Sequence, residues 1–169
     1  MLNKSKMAKI TRLSKNCLAL IEHFECGGDF RKFLKAYKCP SGKWKIGMGT
    51  TRYPNGERVM PGDVITEHEA FEYLTYDLAA AESTVAHCVT SPINQGQFDA
   101  LVRFTYNLGA LTFQNSTLLK VINKDPEGPG IETQFCRWRL AGGKPYSGLV
   151  RWRRAEAHLF IYGELKFGF

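Results

Sequence analysis

The sequence predicts an α+β fold whose few strands are segregated near the N-terminus, and three observations carry this. An apolar stripe at helical spacing, Leu18, Leu20, Ile21 and Phe24, precedes a glycine-punctuated run from Phe33 to Thr51 that reads as strands. From Thr66 onward the apolar residues recur three and four apart, broken only by short Pro- and Gly-rich stretches. The order is therefore a helix, a small sheet and then several helices, the arrangement in which helices and strands pack as separate groups. A length of 169 residues with 44% apolar content suits one domain, or one domain of two lobes, with a core of its own.

Each element follows from local signals. Residues 1–14 are a basic, polar lead-in, and no apolar run of signal-peptide type precedes Cys17. Lys15 to Phe24 forms the first helix, with Glu25 at its end. Cys26 to Arg31 is polar and glycine-rich. Phe33 to Thr51 holds the hairpin strands, with Gly42, Gly47 and Gly49 as turns or points of close backbone approach. Tyr53-Pro54-Asn55-Gly56 is a turn, and Arg58-Val59-Met60 reads as a third short strand. Thr66 and Glu69 form a capping box that opens a long helix to about Cys88. Ala70, Phe71, Leu74, Leu78 and Ala81 give that helix one buried face. Thr90 to Asn94 is a break. The next helix runs to a glycine stop at Gly109, and another covers Phe113 to Asn123. Asp125 to Gly130 is a loop by composition.

Composition narrows the functional classes. No apolar run is long enough to span a membrane. The net charge of +7 favours polyanions, but no nucleic-acid-binding module is present, so no nucleic-acid partner is expected. The cysteines, at 17, 26, 39, 88 and 136, are odd in number and lack a Cys-x-x-Cys pair. They argue against a disulfide framework and a zinc site. The four histidines show no ligand spacing, and no metal or cofactor is expected.

The chemistry concentrates between Phe24 and Thr51. A carboxyl at position 25, delivered from a helix end into a cleft roofed by strands, suits a general acid whose proton is held by apolar surroundings. This stretch carries Phe24-Glu25-Cys26, Leu34-Lys35-Ala36-Tyr37-Lys38-Cys39 and Gly42-Lys43-Trp44-Lys45-Ile46-Gly47-Met48-Gly49-Thr50-Thr51. In order and spacing this stretch resembles the phage-type lysozymes (endolysins) of glycoside hydrolase family 24. The block Gln97-Phe98-Asp99-Ala100-Leu101-Val102 and the closing Ala141-Gly142-Gly143-Lys144 and Gly148-Leu149-Val150 segments extend the resemblance to the C-terminus.

The resemblance implies a single lysozyme-like domain over 1–169. A small antiparallel β lobe with the N-terminal helix (15–65) would be joined by a connecting helix (66–88) to a mainly α-helical lobe (89–169). It implies hydrolysis of the β-1,4 bond between N-acetylmuramic acid and N-acetylglucosamine in peptidoglycan, for host cell lysis. It further implies a monomer made in the host bacterial cytoplasm, without stable membrane insertion, that reaches the anionic wall through a holin-like membrane partner.

The resemblance assigns Glu25 as the proton donor. Cys39 stands where the family has aspartate or cysteine. It serves either to orient the attacking water or as a buried structural thiol. Lys45 replaces the family's water-holding threonine. An ammonium donates hydrogen bonds but accepts none. It either pairs with Glu25 and favours the charged form, or points to solvent while Thr50 or Thr51 holds the water. Cys26 to Phe30 reads as a five-residue insertion. Its Asp29 is either a turn residue or a second carboxylate. Tyr106, Asn107 and Ser116 match sugar-binding positions and are otherwise core residues. Arg137-Trp138-Arg139 and Arg151-Trp152-Arg153-Arg154 read either as a polyanion-binding surface or as core tryptophans beside solvated arginines, and the family architecture implies that one of these arginines pairs with Glu25. Two rival readings remain at this level: a lytic transglycosylase on the same substrate, or a wall-binding module of the same fold with impaired catalysis.

Overall fold

The computed structural model describes residues 9–39 and 42–169. Helix α1 (Lys15–Cys26) starts at Ser14, whose side chain accepts from the Asn16 N–H at 3.1 Å. It runs two residues further than the apolar stripe predicts, because nothing stops it before Gly27. That glycine adopts φ 63°, a left-handed cap, and its N–H donates to the Glu22 carbonyl. Glu25 therefore belongs to the last turn of α1. Its neighbour Cys26 is buried with Cys17, Leu20 and Ile21.

The stretch 26–30 splits between two elements. Asp29 accepts from the Arg31 N–H at 3.2 Å, starts a single tight helical turn (Phe30–Phe33) and lies 3.7 Å from Lys32. Asp29 is thus a turn residue and supplies no carboxylate to the cleft. Strands β1 (Tyr37–Lys38) and β2 (Trp44–Lys45) pair antiparallel, with Tyr37 opposite Lys45 and Lys38 opposite Trp44. The strands are shorter than the sequence suggests. The turn at Gly47 to Gly49 folds Ile46 back onto Thr50, so the ladder stops there. The predicted third strand is reduced to a single bridge, Arg52 with Arg58, between the Pro54 turn and Pro61.

Helix α2 (Glu67–Cys88) has the predicted capping box: the Thr66 N–H donates to Glu69 Oε2 at 2.7 Å and the Glu69 N–H to Thr66 Oγ1 at 3.2 Å. Ala70, Leu74, Leu78, Ala81 and Val85 are buried along it. Phe71 is exposed instead, its ring packed against Phe30 at the edge of the core. Helix α3 (Gln95–Leu108) is buried through most of its length and packs against α1, α2 and α7. Three short helices follow, α4 (Ala110–Gln114), α5 (Thr117–Lys124) and α6 (Ile131–Cys136). A hairpin that the sequence does not announce, β3 (Leu140–Ala141) with β4 (Lys144–Pro145), precedes α7 (Ser147–Tyr162).

The end of the lead-in is tied down rather than loose. The Leu13 N–H donates to Glu82 at 2.7 Å. Asp99, fully buried on α3, accepts from the Ser14 N–H at 2.9 Å, from the Ser14 hydroxyl and from Gln95 Nε2 at 2.9 Å. Residues 1–8 lie outside the described residues. Because a buried carboxylate that accepts several bonds leaves unsatisfied donors when removed, Asp99→Ala is expected to lower stability by about 3 kcal/mol. Urea denaturation at pH 7 checks this, with an unchanged m-value expected.

Candidate active site

A cleft of about 560 Å³ opens where α1, the first hairpin, α2 and the end of α3 meet. Glu25 enters from α1, Lys43, Lys45, Gly49 and Thr51 from the hairpin and its turn, Asp77 from α2, and Tyr106 and Asn107 from α3. Another cavity, about 470 Å³ beside the start of α3, is lined largely by Val85, Val89, Ile93 and Phe98. Its single carboxylate, Glu127, is held by Gln97 at 2.7 Å, so that cavity offers no acid–base pair.

Glu25 sits between two cations at the cleft. Its side chain is 12% exposed. Oε1 lies 3.5 Å from Arg103 NH2, and Oε2 lies 3.9 Å from Lys45 Nζ. The Lys45 pairing considered from sequence is therefore present. The arginine is not one of the predicted C-terminal set: it comes from α3 and is fully buried. Of the predicted arginines, 137, 139, 151 and 154 are exposed, and Arg153 is buried one layer behind Arg103.

That layer is a chain of alternating charge. Arg103 NH1 lies 3.6 Å from Glu156 Oε1, and Glu156 takes Arg153 Nε at 3.0 Å on its other oxygen. Arg153 NH2 also donates to Glu156 and to Asn107 Oδ1, each at 3.0 Å. Trp152 and Phe104 present their ring faces to the Arg103 and Arg153 guanidinium groups at 4.7 and 5.0 Å. Burial pushes the Glu156 carboxyl above the usual glutamate range, while Arg153 and Arg103 pull it back. A guanidinium keeps its charge at any ordinary pH. Two nitrogens of each guanidinium make no well-aligned hydrogen bond, so the layer is held by charge more than by directional bonds.

Other side chains define the walls. Gly49 has φ 114°, and a Cβ there would lie 3.3 Å from the Tyr106 hydroxyl and 3.9 Å from Glu25 Oε2. Only glycine takes that backbone conformation readily while leaving the space between acid and tyrosine open. Burial pushes the Tyr106 hydroxyl well above the usual tyrosine range, so it stays a donor. The Cys26 thiol is pushed up to about 12 by burial and then by Glu25, and it remains neutral. Tyr106 and Asn107 line the cleft; Cys39 and Ser116 are not among its lining residues. Cys39 sits at the base of the hairpin turn, where its N–H donates to the Lys43 carbonyl at 2.9 Å. Ser116 is buried as the cap of α5: its hydroxyl donates to the Phe113 carbonyl at 2.7 Å and accepts the Leu119 N–H at 3.1 Å. Sequence reasoning did not single out Arg103, Glu156 or Asp77, since a charged residue inside an apolar helix face was the one available signal. Among the described residues, no group of three or more His, Cys, Asp or Glu side chains is placed to hold a metal ion.

An acid in a cleft between a small hairpin and a helical lobe is the arrangement of a lysozyme. The chain belongs to the phage lysozyme family, whose profile matches residues 31–156. That match begins after Glu25, beyond the glycine-rich stretch that sets this acid apart from the rest of the motif. The endolysin of Acyrthosiphon pisum secondary endosymbiont phage 1 is 36% identical over 152 residues, covering 88% of this chain and 97% of its own length. The endolysin of Salmonella phage P22 is 36% identical over 128 residues, covering 76% and 86%. Among solved structures, an endolysin from Escherichia coli O157:H7 phage FAHEc1 superposes with a TM-score of 0.83 at 32% identity, covering 92% of this chain and 96% of that one.

The charged layer makes Glu156 costly to lose. Glu156→Gln keeps the volume but leaves two buried guanidinium groups facing one another, and a stability loss of about 3–5 kcal/mol is expected. Thermal and urea unfolding at pH 7 measure it.

Proposed function

We propose that the chain is an endolysin-type muramidase that hydrolyses the β-1,4 bond between N-acetylmuramic acid and N-acetylglucosamine in bacterial peptidoglycan, with Glu25 as proton donor. One observation carries this reading. A nearly buried carboxyl, gripped by Arg103 and Lys45, faces an open cleft walled by Tyr106 and Asn107. Breaking a glycosidic bond needs a proton on the leaving oxygen and a water on the opposite face of the sugar. Arg103 fixes the direction in which Glu25 presents its oxygens, and its charge stabilises the carboxylate left after proton transfer, whereas Lys45 favours the ionised acid already before transfer. Tyr106 and Asn107 offer an aromatic face and an amide to a sugar ring. The Asn107 amide oxygen is held by Arg153, which leaves its NH₂ to face the cleft.

The same reading places synthesis in the host cytoplasm, release through a holin-like membrane partner and action on the wall as a monomer. The basic surface charge suits an anionic wall. No helix among the described residues is long and apolar enough to cross a membrane.

Mass spectrometry of fragments released from purified peptidoglycan tests the reaction. Wild type is expected to release muropeptides with reducing ends, and Glu25→Gln to lose about 10²–10⁴-fold in rate. Anhydro-muropeptides would identify a transglycosylase instead, and wall binding without release would identify a binding module. Lys45 places an ammonium on the proton donor where a water-holding hydroxyl would serve turnover. Lys45→Thr is therefore expected to raise kcat about 3- to 10-fold, on the scale of one exposed charge contact. Initial rates of wall clearing at fixed low salt measure this.

A further inference from the structure

The cleft holds a second carboxylate. Glu25 and Asp77 are the two acids that line it, one from α1 and the other from α2. Thr50 is buried, and its hydroxyl donates to Asp77 Oδ2 at 2.7 Å. That bond fixes the carboxylate against the Gly49 turn. The other oxygen, Oδ1, accepts no hydrogen bond from any described residue. Gly49, next in the chain to Thr50, is the residue whose missing side chain leaves room between Glu25 and the Tyr106 hydroxyl. The two acids thus flank one short turn, and Tyr106 feels the negative charge of both.

The other groups in the cleft are poorly suited to activating water. Lys43 and Lys45 are cations that donate but do not accept. Cys39 is not among the lining side chains. Thr51 carries a hydroxyl, which is a weak base. Asp77 can accept a proton. Burial raises it above the usual aspartate range while Thr50 pulls it down, a shift in the direction that strengthens a base near neutral pH.

We propose that Asp77 is the second carboxylate of the reaction, orienting the attacking water and taking its proton on Oδ1, with Thr50 as its positioning residue. This rests on the glycosidase reading above. The bond from the anomeric carbon to the leaving oxygen breaks, and the Glu25 proton goes to that oxygen. The water oxygen bonds to the anomeric carbon from the other face, and the water proton goes to Asp77. The new reducing end has inverted configuration, and both acids reset through solvent.

Wild type, Glu25→Gln, Asp77→Asn and Thr50→Val are compared on purified peptidoglycan, with kcat, KM and Tm measured for each. Asn keeps an acceptor for the Thr50 hydroxyl but cannot take a proton, whereas Val removes the hydroxyl and leaves the carboxylate. Asp77→Asn is expected to lose about 100-fold or more in kcat with KM within about two-fold. Its Tm at pH 7 should equal or exceed wild type. A carboxyl whose folded pKa lies above its unfolded value costs stability once pH has risen through both, and the amide removes that cost. Thr50→Val should lower Tm and lose less than about 10-fold in kcat. Asp77→Asn working within about three-fold of wild type, or the two variants losing activity equally, would overturn the assignment and leave a purely structural hydrogen bond. If wild type releases fragments and Asp77→Asn does so within about three-fold of its rate, only this inference fails. No release from wild type sinks the hydrolase reading together with it.

Discussion

The cleft depends on two arginines that are kept charged without water. Taking Arg103 and Arg153 into the core costs several kcal/mol per ion unless opposite charges meet them. Glu156 meets both, and Glu25 meets Arg103 from the other side. Since these groups come from α1, α3 and α7, the three helices can pack in one register only if the charges line up. Glu25 is therefore the cleft-facing end of a buried electrostatic column, with Asn107 at the column's other outlet into the cleft.

The opposite wall is built differently. The hairpin has two residues in each strand and continues through single bridges and glycine turns. It presents Lys45 to Glu25 and leaves a gap at Gly49. The helical side fixes where the acid points, and the hairpin side sets what else reaches it. Substitution on the hairpin can thus alter the reaction with little effect on the core, which is consistent with a lysine occupying position 45 in an otherwise ordinary lysozyme fold.

Much of the fold was legible because its signals are local. The Thr66–Glu69 capping box, the apolar stripe of α2 and the glycine stop of α3 all act within a few residues of one another. Glu25 was singled out because it directly follows the apolar stripe of α1, ahead of the stretch that separates it from the hairpin segments. The hairpin's extent was not, because the length of a ladder depends on which way the Gly47 and Gly49 backbone turns. The partner of Glu25 was misplaced for a related reason. Every arginine in an Arg-Trp-Arg run looks alike in sequence, whereas burial on α3 selects Arg103. Ser116 illustrates the limit of a positional match: a hydroxyl that suits a sugar equally suits the start of a helix, and here the helix uses it. Asp77 carried only the weak signal of an acid between Leu74 and Ala81 on the apolar face of α2, and an aspartate on a long amphipathic helix is ordinarily solvated.

The sequence separation of the column has a consequence for biosynthesis. Glu25 and Arg103 lie 78 positions apart, and Ser14 and Asp99 lie 85 apart. Glu156 lies on α7, well beyond Arg103 in sequence. Contacts of such long range form late, after most of the loop entropy has been lost. A nascent chain carries its acid from the first few dozen residues, but the charges that hold that acid in place arrive only as α7 is completed. A chain that lacks α7 therefore has Glu25 and Arg103 without the Glu156 charge that holds their layer together.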